Sequence, residues 1–116
     1  MGNPIGHWEI LVSDLAKGKE FYSTVFDWEF DESSFPGYDL IKTGMDPGGG
    51  MLVKPEEAPE YGINTYFQVD DIDATLAKAT AAGATIIAPK TAIPGIGHWG
   101  MFADPDGIAI GLLQGE

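Results

Sequence analysis

Cysteine is missing altogether, which excludes disulfides, thiolate metal sites and cysteine nucleophiles. Cationic side chains are scarce: six Lys and Arg stand against 18 Asp and Glu, for a net charge of -12. The acids are spread along the chain rather than gathered in a tail, so they make a charged surface that disfavours nucleic acid and anionic membrane as partners. No uncharged apolar run approaches the ~20 residues that a membrane-spanning helix requires. No basic stretch followed by an apolar one opens the chain, and a cytoplasmic location is the expectation. What is present, 116 residues with 44% apolar and 11% aromatic content, suits one domain able to bury a real core.

Residues 6–12 (GHWEILV) set Trp8, Ile10 and Val12 against His7, Glu9 and Leu11, the period-two pattern of a strand with one apolar face. Ser13 and Asp14 then supply helix-start chemistry, and Leu15, Gly18, Tyr22 and Val25 recur at helical spacing as far as Asp27. Strand candidates follow at 28–31, 38–43 and 50–54, broken by Pro36-Gly37 and Asp46-Pro47-Gly48-Gly49. After a polar stretch at 55–62 the order repeats: a strand at 63–69, a helix opened by Asp70, Asp71 and Asp73, then strands at 84–88, 98–103 and 108–113. His7, Asp14, Leu15 and Tyr22 align with Asn64, Asp71, Ile72 and Ala79 at one constant separation, and the Asp-Pro hairpin turns also correspond. In each such turn a glycine is expected to supply the positive φ. The fold class predicted is α+β: two tandem βαβββ modules, 5–54 and 63–114 joined by a linker at 55–62, forming a cup-shaped mixed sheet with the helices outside. Trp8, Ile10 and Val12, Thr65, Phe67 and Val69, and Ile108, Ile110 and Leu112 are expected beneath the helices. Trp8, Phe21, Tyr22, Phe26 and Phe67 are assigned to that core, and the opposite faces carry the chemistry.

The runs HWEILVSDLAKGKEFYSTVFDWEF, FQVDDIDATLAKATAAGA and ADPDGIAIGLL, with Phe21-Tyr22, Phe26-x-Trp28 and the Asp-Pro-Asp-Gly hairpin, resemble the vicinal oxygen chelate superfamily over nearly the whole chain. That group includes glyoxalase I, extradiol dioxygenases, fosfomycin-resistance enzymes and bleomycin-resistance proteins. The resemblance implies paired βαβββ modules and a homodimer. It also implies four inward ligand positions for a divalent ion, on the first and last strands of each module. Carried onto this chain, those positions read His7, Met51 or Val53, Asn64 and Gly111. Only His7 is a usable ligand for a hard divalent ion.

The expectation is therefore a metal-independent domain without a cofactor, binding a small organic molecule between the modules through His7, Glu9, Met51, Val53, Asn64, Tyr66, Gln68, His98 and Gly111. Two alternatives stand beside it. One is sequestration of a cationic, bleomycin-type drug by an acidic groove. The other is acid–base isomerase or lyase chemistry on a carbonyl substrate by His7 and Glu9, which share a strand face. An unorthodox divalent metal site built from His7, Glu9 and His98 also fits facial ligation by two imidazoles and a carboxylate. The loop before His98 (PGIG) equally allows its ring to sit at the rim. The Gly48-Gly49-Gly50 run precedes a strand rather than a helix, so it lacks the dipole of a phosphate site and reads as hairpin flexibility.

Overall fold

The computed structural model describes residues 2–56 and 62–116. Ten elements follow in order: β1 (Ile5–Val12), α1 (Leu15–Phe26), β2 (Glu29–Glu32), β3 (Tyr38–Lys42), β4 (Gly49–Val53), β5 (Gly62–Gln68), α2 (Ile72–Ala81), β6 (Thr85–Ile93), β7 (Gly97–Ala103) and β8 (Ala109–Gly115). The architecture is α+β, with β-α-β-β-β occurring twice. The linker predicted at 55–62 lies largely outside the described residues. Contacts divide the chain into two compact units, His7–Asn64 and Thr65–Glu116, the latter including the residues up to Gly6. Among the described residues no helix is long and apolar enough to cross a membrane.

In the unit His7–Asn64 the strand order is β2-β3-β4-β1, with β1 and β4 parallel and the other pairs antiparallel. The alternation of β1 does what its pattern predicts. Ile10 joins Ile41 and Met51 in a buried cluster, with Trp8, Val12, Leu15, Tyr22, Trp28 and Phe30 packed against it. Helix α1 starts where Asp14 turns extended and accepts the Lys17 amide at 3.0 Å. It stops at Asp27, whose left-handed φ of 59° lets its own amide return to the Ser23 carbonyl at 3.0 Å. Gly18 permits the helix to lie close to the sheet, since a Cβ there would meet Met51 Sδ at 3.0 Å and Val12 at 3.2 Å. A second fastening is ionic: Lys19 Nζ donates to Asp39 Oδ2 at 2.7 Å, and Asp39, only 6% exposed, needs that partner to offset the cost of burying its charge. Tyr22 stacks on Trp28 (5.3 Å between centroids), but Phe21 and Phe26 correct their assignment to the core, being 59% and 55% exposed. They lie at the flank of the α1 stripe, where the sheet does not reach.

In the other unit the order is β5-β8-β7-β6, again with one parallel pair, β5 and β8. Val69, Ile72, Leu76 and Leu112 form its core, with Phe102 against them. Asp71 repeats the role of Asp14 closely: φ is -150° against -144°, and its carboxylate accepts the Ala74 amide at 3.1 Å. Gln114 Oε1 accepts the Ile72 amide at 2.8 Å, satisfying another of the donors that a helix start leaves unpaired. At the Asp104–Gly107 turn the prediction of a positive φ holds, with Gly107 at 88° and Asp104 Oδ1 accepting from Asp106 and Ile108. In the earlier hairpin it fails, because Gly44 rather than Gly48 or Gly49 takes the positive φ. Strand β6 runs to Ile93 instead of ending at Ala88, with register shifts around Ala88 that bend it past Pro89. Ile108 precedes β8 and is 56% exposed, so Leu112 rather than Ile108 anchors that strand to the helix.

Candidate functional site

Strand parity sends Ile10, Met51, Asp39 and Ile41 toward α1, and leaves His7, Glu9, Gly50, Leu52, Tyr38 and Leu40 on the sheet face turned from the helix. On that face three side chains are joined. Tyr38 Oη donates to Glu9 Oε2 at 2.8 Å and lies 2.7 Å from His7 Nε2. A phenol has one proton, and an ionised carboxylate only accepts, so the His7 ring is the donor in its bond to Tyr38. The His7 and Tyr38 rings are nearly parallel, 22° apart with centroids separated by 6.3 Å.

The local sequence explains why Tyr38 arrives there. Phe35-Pro36-Gly37-Tyr38 forms a tight turn in which Gly37 takes φ 79° and the Tyr38 amide donates to the Phe35 carbonyl at 3.2 Å. Ser33 braces it by donating its hydroxyl to the Tyr38 carbonyl at 2.5 Å. Across the sheet the glycine run predicted to give hairpin flexibility has a different purpose. A Cβ on Gly49 would lie 2.6 Å from the Trp8 indole, and one on Gly50 would overlap the Tyr38 phenol. Gly49 and Gly50 therefore open seats for two aromatic rings, one on each face of β4.

Burial lowers the pKa of His7 from its ordinary 6.5, against an opposing pull from the Glu9 carboxylate. The sign follows. As pH falls through about 6.5 the unfolded chain takes up a proton that the folded imidazole resists, so stability is fully present above that value and declines below it. Melting temperatures measured from about pH 7.5 to 5.5 are expected to fall more steeply for the wild type than for His7→Asn. Parallel curves would show that His7 does not carry the dependence.

The structure thus brings His7 and Glu9 together, through a tyrosine that the sequence did not single out. Two other predicted ligand residues are corrected. Met51 is fully buried in the helix-side core, and Val53, in register with Val12, shares that side. A one-residue step along β4 changes face, and Gly50 is the residue aligned with Glu9.

In the other unit Tyr66 and Gly111 are direct partners across β5 and β8, and the buried Tyr66 ring covers Gly111: a Cβ there would meet ring atoms at 2.6 and 2.7 Å. Gln68 is exposed and lies over Gly6; Asn64, the last residue of the unit His7–Asn64, is half-buried on β5. His98 aligns with Gln114 and shares its face with Gly100, whose position abuts Ile72 of α2. It therefore points to the helix side, away from Tyr66 and Gly111. Its Nδ1 is buried with no hydrogen-bond partner among the described residues.

The donor set does not fit the divalent ion that the superfamily resemblance implies. Gly50 and Gly111 supply no donor, Met51 lies in the core, and among the described residues no three His, Asp, Glu or Cys side chains gather as a metal-binding group.

Residues 4–112 match the family model described as Glyoxalase/Bleomycin resistance protein/Dioxygenase superfamily. The chain is 31% identical over 114 residues to "Putative glyoxylase CFP32" of Mycobacterium tuberculosis, a match covering 91% of this chain and 43% of that protein. It thus spans less than half the length of that relative. A "Glyoxylase-like domain-containing protein" of Didymella fabae is 29% identical over 108 residues, covering 85% of this chain and 84% of its own. In fold, the crystal structure of methylmalonyl-CoA epimerase from Mycobacterium tuberculosis aligns with a TM-score of 0.69 at 17% identity, covering 97% of this chain and 88% of that one. With the family model matched over nearly its full length, this chain belongs to the glyoxalase/bleomycin resistance protein/dioxygenase superfamily.

Proposed function

We propose that this chain is a metal-independent, glyoxalase-like domain that binds a small organic molecule and works as a homodimer. The ligand lies on the sheet face that carries His7, Glu9 and Tyr38. The observation that carries this reading is the tyrosine bridge. The imidazole that the resemblance marks as a metal ligand gives its Nε2 to Tyr38, and Gly50, a β4 residue on that face, is covered by the same phenol. Leu11, Leu40 and Leu52 flank the three polar groups by strand parity, the mixture of apolar wall and few polar anchors that suits an organic ligand.

Native mass spectrometry combined with elemental analysis of the purified protein tests this. The expected result is a dimer without stoichiometric metal, carrying or taking up an organic ligand. One equivalent of a divalent ion that disappears in His7→Ala would overturn it.

The same bridge favours a second reading, acid–base catalysis on a carbonyl substrate. A neutral imidazole linked through a phenol to a carboxylate is equipped to move a proton near neutral pH. Under that reading His7→Ala abolishes a turnover that a pure binder does not have.

A further inference from the structure

We propose that Tyr38 is the positioning residue of this face: seated on Gly50 and committed to Glu9, its hydroxyl holds His7 in the tautomer that carries the proton on Nε2. Three observations meet in it. Tyr38 Oη donates to Glu9 at 2.8 Å, which consumes its only proton. His7 Nε2 stands 2.7 Å from the same oxygen and has to be the donor there. Gly50 leaves the room the phenol occupies, since any Cβ at that position would overlap the Tyr38 hydroxyl and ring.

The order of donors is thus set from the carboxylate end. Glu9 dictates where the phenolic proton goes, the phenol dictates which imidazole nitrogen is protonated, and the basic lone pair of the ring is placed at Nδ1. Among the described residues, Glu29, Asp31 and Lys42 also lie on this face at its outer strands, where Lys42 pairs with Asp31, and Lys54 follows Leu52 just past the end of β4. From β4 the face receives Gly50 and Leu52, which do not titrate.

Long-range ¹H–¹⁵N correlation spectra of uniformly labelled, ligand-free protein report the His7 tautomer directly. The wild type is expected to show the Nε2-protonated form alone above the His7 titration. Tyr38→Phe keeps the ring over Gly50 and removes the hydroxyl, and should give a mixture of tautomers. Gly50→Ala, which displaces the phenol, should do the same. So should Glu9→Gln, whose amide can donate to the phenol and release its proton toward either neighbour. Leu52→Ala, on the same face without a polar role, should leave the tautomer unchanged and so separates this bridge from general packing. A wild-type spectrum of the Nδ1-protonated form, or a Tyr38→Phe or Glu9→Gln protein that keeps a single Nε2-protonated form, overturns the proposal. Because the spectra need no ligand, their failure is distinct from a failure of the mass-spectrometric test of binding.

Discussion

Shortening Met51 to alanine is expected to lower the unfolding free energy by about 2–5 kcal/mol, toward the upper end of what buried methionines lose. Met51 is fully buried between Ile10 and Ile41, and its sulfur lies beneath Gly18, where α1 already approaches the sheet as closely as a glycine allows. On one side is a strand held by its neighbours, on the other a helix fastened by the Lys19–Asp39 ion pair. Neither can move in to fill the space, so the cavity persists and its cost adds to the lost transfer energy. Urea unfolding of Met51→Ala and Met51→Leu checks this. The leucine variant, nearly conserving volume, should lose less than about 1.5 kcal/mol. Equal losses in the two would mean that shape at this position, rather than the cavity, governs stability.

The second large effect is expected from the smallest addition. Gly111→Ala places a methyl group into the ring of Tyr66, a side chain only 7% exposed and directly opposite across the strand pair. Overpacking of this kind costs about 1–3 kcal/mol, and here the obstacle is the near edge of a ring rather than the end of a flexible chain, so the upper figure is the expectation. The diagnostic measurement is a double-mutant cycle. In a Tyr66→Ala background the alanine at 111 should be nearly neutral, giving a coupling of about 1–3 kcal/mol between the two positions. Additive losses would show that Gly111 is required for its backbone and not as a seat for the ring.

The fold was legible because its signals are local and occur twice. Asp14 and Asp71 open their helices with matching geometry, and the alternation of Trp8, Ile10 and Val12 against His7, Glu9 and Leu11 carries directly into which face packs under α1. The site was less legible, for reasons that can be named. On β3 the pattern Tyr38-Asp39-Leu40-Ile41 puts a carboxylate on the core side, so the usual inference from polarity to solvent fails there. The partner Lys19, on another element, makes a buried Asp39 tolerable. That inversion hid Tyr38, although its strand parity and its place after Pro36-Gly37 were signals in plain view.

The glycine run misled in a related way. Read along the chain, Gly48-Gly49-Gly50 is a flexible turn; read across the sheet, Gly49 and Gly50 are gaps shaped by Trp8 and Tyr38. The face of His98 depended on register with Gln114, which no spacing within its own strand reveals. The assignment of Phe21 and Phe26 to the core treated the α1 stripe as wider than the sheet beneath it.

Strands β2 and β6, each outermost in its unit, also bear on how the protein behaves in crowded solution. An outer strand with unpaired amides and carbonyls invites a second chain to add to it, the first step of aggregation. Here β2 is only four residues long and reads Glu-Phe-Asp-Glu, so an approaching copy would set carboxylate against carboxylate. On β6, Pro89 removes a donor and the register shifts around Ala88 spoil a flat template. Part of the chain's acidity is thus placed, at β2, where carboxylates oppose edge-to-edge joining of copies of the chain.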